Sequence, residues 1–120
     1  MKVNKPTIIL VRPQLPENIG MVARAMDNCG LNDLFIVSPR DKWPNLKALN
    51  ASANSKKIIL KAKIYESLIS SLKDFNYVIA TSNRLRFLNK PIKNDFNNIF
   101  HYFSFYKKIA IVFGPENSGL

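Results

Sequence analysis

Short apolar runs of strand-forming residues constrain the fold of this chain more than any other feature. Four of them, at residues 7–11, 34–37, 77–81 and 109–113, are continuous rather than alternating in polarity, and a further short strand is predicted to end at Tyr65. A strand with one face in solvent alternates apolar and polar residues, whereas a strand buried on both faces does not. The pattern therefore predicts a largely parallel sheet that is covered on both faces.

Helical segments are predicted between these strands. Apolar residues recur at helical spacing after Asn18, which suits the N-cap position, and Gly30 is placed where a helix would end. Residues 45–55 are weakly helical, residues 66–73 carry an apolar helical set, and residues 95–103 are predicted as a further helix. The alternation of strands and helices predicts the α/β class, with helices flanking a parallel sheet.

The charge balance points to a polyanionic partner. Lys and Arg number 18 against 8 Asp and Glu, which gives a formal net charge of +10. An excess of this size in a small domain favours nucleic acid, although a lysine-rich proteome would give the same balance. The hydrophobic fraction of 47% is sufficient for one small core, and no apolar stretch reaches the length of a membrane span. We therefore expect a cytoplasmic protein with no membrane partner.

The single cysteine and the single histidine exclude two kinds of site. Cys29 cannot form a disulfide within the chain, and together with His101 it falls short of a Cys/His metal cluster, so no metal site is predicted. Cys29 lies in an apolar helical pattern, which favours a buried structural thiol. His101 lies in the aromatic run at residues 100–106, where packing is the favoured role.

Polar loops follow three of the predicted strands. The first begins at Arg12 and runs into the helix that bears Arg24, the second comprises residues 81–84, and the third comprises residues 114–119. Ligands of open α/β sheets bind outside the carboxyl ends of the strands. If the strands are parallel, the three loops share this edge of the sheet, and we expect the ligand site there.

Two of these loops leave alternatives open. Gly20 and Arg24 are one helical turn apart, so a phosphate could approach the helix at Gly20 beside the charged fork of Arg24. A helix-packing glycine and a solvated arginine explain the same residues. Gly114 and Gly119 bracket Glu116 in a turn that would expose backbone N–H groups, and an ordinary turn explains this spacing as well. The glycine patterns of dinucleotide and triphosphate sites are absent.

A basic loop at residues 83–93 is a candidate RNA contact. Its cations alternate with apolar residues, so the loop could follow a phosphate backbone while Phe87 stacks on a base. A solvated loop with Phe87 in the core is the alternative. The residues predicted to bind RNA are Arg12, Arg84, Arg86 and Lys90.

The first and third loops resemble the signatures of the SpoU/TrmH family of RNA ribose 2′-O-methyltransferases. Residues 18–24 follow an Asn-x-Gly-x-x-x-Arg pattern after the first strand, and residues 111–120 form a strand that runs into Gly-x-Glu-x-x-Gly-Leu. The two patterns occur in the family's order, and the resemblance covers nearly the whole chain. Residues 81–86 and the Pro39-Arg40 turn are similar to the TrmJ-like branch, the tRNA (cytidine/uridine-2′-O-)methyltransferases.

The resemblance implies a fold, a reaction and a set of site residues. The fold is a SPOUT-type α/β knot that forms a homodimer, the cofactor is S-adenosylmethionine, and the substrate is the ribose of an anticodon-loop pyrimidine in tRNA. The implied catalytic residues are Arg24, Asn18 and Glu116. The implied cofactor-binding residues are Thr81, Ser82, Asn83 and Gly114. A guanidinium keeps its proton at ordinary pH, so we interpret Arg24 as orienting the phosphate and hydroxyl rather than as a base.

The sequence departs from the family after Leu120. The family's third motif, which supplies the tail of the knot and much of the cofactor pocket, would follow beyond this residue. We therefore expect a single methyltransferase domain at residues 1–120 that is incomplete at its C-terminus, with the knot tail missing. Such a chain is predicted to bind the cofactor weakly or not at all. The alternative function is a non-catalytic, basic RNA-binding remnant.

Overall fold

A five-stranded parallel sheet forms the centre of the molecule. The computed structural model describes residues 5–81 and 108–115, and within them the strand order is β3-β2-β1-β5-β4, with every neighbouring pair parallel. The strands are β1 (Thr7–Val11), β2 (Leu34–Val37), β3 (Lys63–Tyr65), β4 (Tyr77–Ala80) and β5 (Ile109–Phe113). The predicted parallel α/β fold is confirmed, and β1 lies in the middle of the sheet, where both of its faces are buried.

Helices cover both faces of this sheet. Their bounds are α1 (Pro16–Asn28), α2 (Leu46–Ala51), α3 (Lys56–Lys61) and α4 (Leu68–Ser71), with one 3-10 turn at Ala53–Ser55. The first three pack on one face, against alternate residues of the central strands such as Ile8 and Leu10. On the other face, Leu68 of α4 and the following Leu72 and Phe75 pack against Ile9 and Val11. Among the residues described here, no helix is both long enough and apolar enough to cross a membrane.

Helix α1 begins one turn earlier than the sequence predicted. Asn18 was expected at the N-cap, but the cap is Leu15, which makes no side-chain capping bond, and Pro16 occupies the first helical position. Proline suits this position because the first helical N–H groups have no partner within the helix. Asn18 therefore lies inside the first turn, where its backbone N–H donates to Leu15 O at 3.0 Å.

The end of α1 was predicted correctly. Gly30 has a φ of 75°, a left-handed conformation that glycine adopts without strain. Its N–H donates to Asp27 O at 3.0 Å, and the N–H of Leu31 donates to Met26 O at 2.8 Å. These two bonds are the Schellman arrangement, which satisfies carbonyls at the end of the helix.

Gly20 allows α1 and α2 to pack closely. A Cβ at this position would lie 2.6 Å from Ala48 O and 2.6 Å from the Cβ of Ala51, closer than real Cβ atoms approach. A second backbone, that of α2, therefore occupies the space that the missing side chain leaves. The sequence left this open between a ligand and a helix contact, and the structure shows the helix contact.

Candidate functional site

The carboxyl edge of the sheet brings together the ends of β1, β4 and β5. Leu10 pairs with Phe113, and Ala80 pairs with Val112, so the residues that follow these strands leave the sheet side by side. Gly114 follows β5 directly, and Thr81 follows β4. The expectation that the three loops share one edge is confirmed for the parts of those loops within residues 5–81 and 108–115.

Thr81 is bonded to β5 by both its backbone and its side chain. Its N–H donates to Val112 O at 2.9 Å, and its hydroxyl donates to the same carbonyl at 3.0 Å. Because the hydroxyl proton is already used, the oxygen of this half-buried side chain is left to accept a hydrogen bond from a ligand. Thr81 is therefore a fixed acceptor next to the end of β5.

An open cavity of about 360 Å³ connects the first turn of α1 with the end of β5. Asn18 and Gly114 both line it, and the remaining walls are almost entirely apolar. The apolar wall includes Ile8, Leu10, Val22, Met26 and Phe113. A few polar groups on an apolar wall are typical of a small-molecule site. Residues from the two sequence signatures thus meet in one cavity.

Phe113 is a residue of this cavity that the sequence analysis did not single out. It ends β5 with 39% of its surface exposed, which is high for a large apolar residue at the end of a central strand. The sequence feature that could have identified Phe113 as a cavity residue is its position directly before Gly114. Cys29 was predicted to be buried, and that prediction is wrong. It is the exposed C-cap of α1 and lines the open cavity, whereas the buried residues of this helix are Ile19, Ala23 and Met26.

Arg24 does not line this cavity. It follows Asn18 by six positions, which places it about 9 Å further along the helix and about 120° around it. Gly20 packs against α2, and Arg24 lies one turn beyond Gly20 with its side chain exposed. The packing of α1 on α2 therefore turns Arg24 away from the cavity that Asn18 faces.

Arg12 lies at the same carboxyl edge in a left-handed conformation. Its φ is 48°, and its N–H donates to Val37 O at 2.7 Å, which extends the parallel ladder by one bond. Ser38, at the end of β2, has a φ of 46°, and its N–H donates to Tyr65 O at 2.8 Å. A positive φ is uncommon in residues other than glycine, and such residues concentrate at functional sites. The side chain of Arg12 is exposed.

The other predicted site residues lie outside the described residues. They are Ser82, Asn83, Arg84, Arg86, Lys90 and Glu116. The helix predicted at residues 95–103 and the aromatic run at residues 100–106 lie outside them as well.

Comparison with known proteins gives the family. The model of the SpoU rRNA Methylase family matches residues 5–120. The chain belongs to that family. The predicted resemblance is therefore confirmed, including its TrmJ-like relatives.

Individual relatives agree with this assignment. The tRNA (cytidine/uridine-2′-O-)-methyltransferase TrmJ of Pectobacterium atrosepticum is 34% identical over 115 residues, which are 94% of this chain and 47% of the relative. The crystal structure of TrmJ from Z. mobilis ZM4 is 42% identical, with a TM-score of 0.81 over 96% of this chain and 52% of that one. The chain spans about half the length of the curated relatives it matches.

A more distant SpoU structure shares the fold alone. The methyltransferase AviRb from Streptomyces viridochromogenes, solved in complex with the cofactor AdoMet, is 16% identical. Its TM-score is 0.63, over 100% of this chain and 46% of that one. The parallel sheet with flanking helices is therefore the SPOUT-type arrangement.

Proposed function

We propose that this protein is an S-adenosylmethionine-dependent tRNA methyltransferase that modifies the ribose 2′-hydroxyl of an anticodon-loop pyrimidine. The observation that carries the proposal is the cavity in which Asn18, from the first family signature, meets Gly114, from the second. Family membership supports the reaction class, and the names of the TrmJ relatives support the tRNA substrate. A cytoplasmic location, where tRNA is found, belongs to the same proposal.

The described part of the site fits the proposed cofactor. Gly114 carries no side chain, so a ligand can approach the backbone at the end of β5. The oxygen of Thr81 can accept a hydrogen bond, and the apolar wall that includes Phe113 suits a flat base. We assign Ser82 and Asn83 to the same pocket. S-adenosylmethionine would supply a methyl group on a positively charged sulfur, and this chemistry requires no metal.

Arg24 has the properties of a group that meets the RNA rather than the cofactor. Its side chain is exposed on α1, and a guanidinium fork suits a phosphate. We assign to it the orientation of the ribose and its phosphate, with Asn18 and Glu116 completing the catalytic set. The reaction then gains from the positioning of the attacking oxygen and from stabilised negative charge. Arg12, Arg84, Arg86 and Lys90 are the proposed RNA contacts.

A homodimer is part of this proposal. Arg24 and the cavity lie on different sides of α1, so Arg24 of a given chain does not face that chain's own cavity. In a homodimer, Arg24 of each copy would approach the cavity of the other copy and complete its site. Closed two-fold dimers are the commonest assemblies of soluble proteins.

Transfer of a labelled methyl group from S-adenosylmethionine to tRNA tests the proposed function. The wild-type protein should label the tRNA ribose, and Arg24→Ala should reduce the rate by about 100-fold or more, since preorganised charge contributes on this scale. The same variant should keep most of its tRNA affinity, as measured by a gel shift. Tight tRNA binding without any transfer would contradict the proposal.

That contrary result would support the alternative function, a basic RNA-binding protein without catalysis. The observation that favours the alternative is the net charge of +10. Binding of this kind depends on phosphate contacts and weakens steeply with added salt. It would also be insensitive to Arg24→Ala.

A further inference from the structure

The edge of the sheet opposite the proposed active site carries a cavity with a positive rim. The cavity has a volume of about 280 Å³ and lies at the amino ends of the strands. Four lysines line it, and we call them the amino-edge lysine cluster: Lys5, Lys61, Lys63 and Lys108. Two carboxylates, Asp33 and Asp74, line the same cavity, so the rim keeps a formal excess of two positive charges.

The backbone holds three of these lysines in fixed positions. Lys63 pairs with Phe35 across β2 and β3, and its Nζ lies 5.7 Å from the centre of the Phe35 ring. Lys108 is held by Asn76, whose N–H donates to Lys108 O at 2.8 Å and whose Oδ1 accepts from the Lys108 N–H at 3.2 Å. Lys61 is the last residue of α3. The backbone positions of these lysines are therefore set by α3, by β3 and by the bonds between Asn76 and Lys108.

Among the described residues, none of these lysines forms an ion pair. Within residues 5–81 and 108–115, the ion pairs given by the structure join Arg40 to Asp41 and Lys57 to Asp27. The lysines of the cluster and their neighbouring carboxylates take no part in them. The positive excess of the rim therefore remains available to an anion from solution.

Helix C-terminal ends lie beside part of the cluster. Lys5 Nζ lies 3.6 Å from the position that a Cβ on Gly30 would occupy, so this ammonium group complements the negative C-terminal end of α1. Lys61 does the same for α3, which it ends. Lys63 begins β3 directly after the C-cap of α3, and Lys108 precedes the first residue of β5 on the strand side of the cavity.

We propose that the amino-edge lysine cluster binds phosphate groups of the RNA backbone and is a second contact surface for the tRNA. The ligand class is a phosphodiester chain, which lysines recognise as point charges without reading sequence. Five-residue strands separate the two edges of the sheet by about 17 Å, a distance that about five nucleotides of one strand would span. The identity of the polyanion rests on the proposed function, while the existence of an anion site does not.

The aromatic side chains behind the lysines give the cavity a rigid wall. The rings of Phe35 and Tyr65 have centroids 5.0 Å apart, and those of Phe35 and Phe75 are 5.7 Å apart. All three residues line the cavity. A phosphate entering it would therefore meet ammonium groups on an apolar base, where charge pairs are screened less than on an open surface.

A matched pair of triple variants tests this inference through the salt dependence of tRNA binding. The test variant combines Lys61→Gln, Lys63→Gln and Lys108→Gln. The control combines Lys42→Gln, Lys47→Gln and Lys56→Gln, which removes the same charge from exposed lysines outside the cavity. The test variant should make the slope of log K against log salt shallower by about 2 to 3, and the control should change it by less than 1. Equal changes in both variants would overturn the inference.

A substitution of opposite sign provides a second readout. Asp74→Asn removes a negative charge from the rim, so it should tighten tRNA binding a few-fold at low salt, and the gain should shrink as salt is added. Unchanged or weaker binding would contradict a phosphate site at this cavity. Circular dichroism and thermal unfolding of each variant would show that the fold is retained.

The two proposals can fail separately in these measurements. If the protein methylates tRNA while the test variant and its control have equal salt slopes, the amino-edge contact is wrong and the enzyme assignment stands. If the salt slope of tRNA binding becomes shallower in the test variant and not in its control, but no methyl transfer occurs, the anion site stands and the proposed function fails.

Discussion

Thr81 shows how one residue can serve the sheet and the proposed site together. Its backbone and its hydroxyl both donate to Val112 O, so the residue fixes the end of β4 beside β5. The sequence identified Thr81 from its place after an apolar run and from the family resemblance. It gave no indication of the hydroxyl bond to Val112, because the pairing of β4 with β5 depends on the strand order of the folded sheet.

Replacing Thr81 with valine or serine should separate these two contributions. Thr81→Val keeps the shape of the side chain but removes the hydroxyl, so unfolding should become easier by about 1 kcal/mol and cofactor binding should weaken. Thr81→Ser keeps the hydroxyl and should bind the cofactor close to the wild-type level. Urea unfolding and a cofactor titration measure the two effects. Equal cofactor binding by both variants would show that the hydroxyl does not serve the site.

The strands were predicted more completely than the helices, for physical reasons. β1, β2 and β5 lie between two layers, and their unbroken apolar runs mark their ends at the positions that the structure shows. The start of α1 was missed because Pro16 takes the first helical position and leaves Asn18 inside the helix. The basic stretch at 56–61 was not identified as a helix, since its two buried residues, Ile58 and Ile59, are adjacent and give no helical period.

The same limit applies to the candidate site. The sequence placed the three polar loops on one edge, because that follows from parallel strands alone. It could not show that Arg24 is turned away from the cavity, because this depends on how α1 packs on α2 through Gly20. The orientation of a helix about its own axis is decided by such contacts between elements.

Gly20→Ala tests the contact between α1 and α2. An added Cβ would meet the backbone of α2 at Ala48 and Ala51, so the helices must separate. We expect a loss of about 1 to 3 kcal/mol in the free energy of unfolding, although alanine is the better helix former. Met21→Ala is the control, because Met21 lies on the same helix with 59% of its surface exposed and should change stability by less than about 0.5 kcal/mol. A stabilising Gly20→Ala would show that this close contact is wrong.

At the scale of the whole molecule, the separation of Arg24 from the cavity predicts a shared active site. Mixing Arg24→Ala with Gly114→Val should restore activity that neither variant has alone, provided that subunits exchange. Random exchange would restore about a quarter of the wild-type activity, since half of the dimers would be mixed and each would hold one intact site. Methyl transfer by the mixture, compared with each variant alone, is the measurement. Absence of recovery despite proven exchange would place Arg24 and the cavity of one chain in the same site.

The central claim is that the cofactor binds at the carboxyl edge of the sheet, against Thr81 and Gly114 and beside Asn18. Its most direct test is an amide NMR titration of the labelled protein with S-adenosylmethionine at millimolar concentration, where weak binding is also visible. We expect the amide signals of these residues to shift together, while those of Asn76 and Lys108 at the amino edge do not shift. Shifts confined to the amino edge would contradict it.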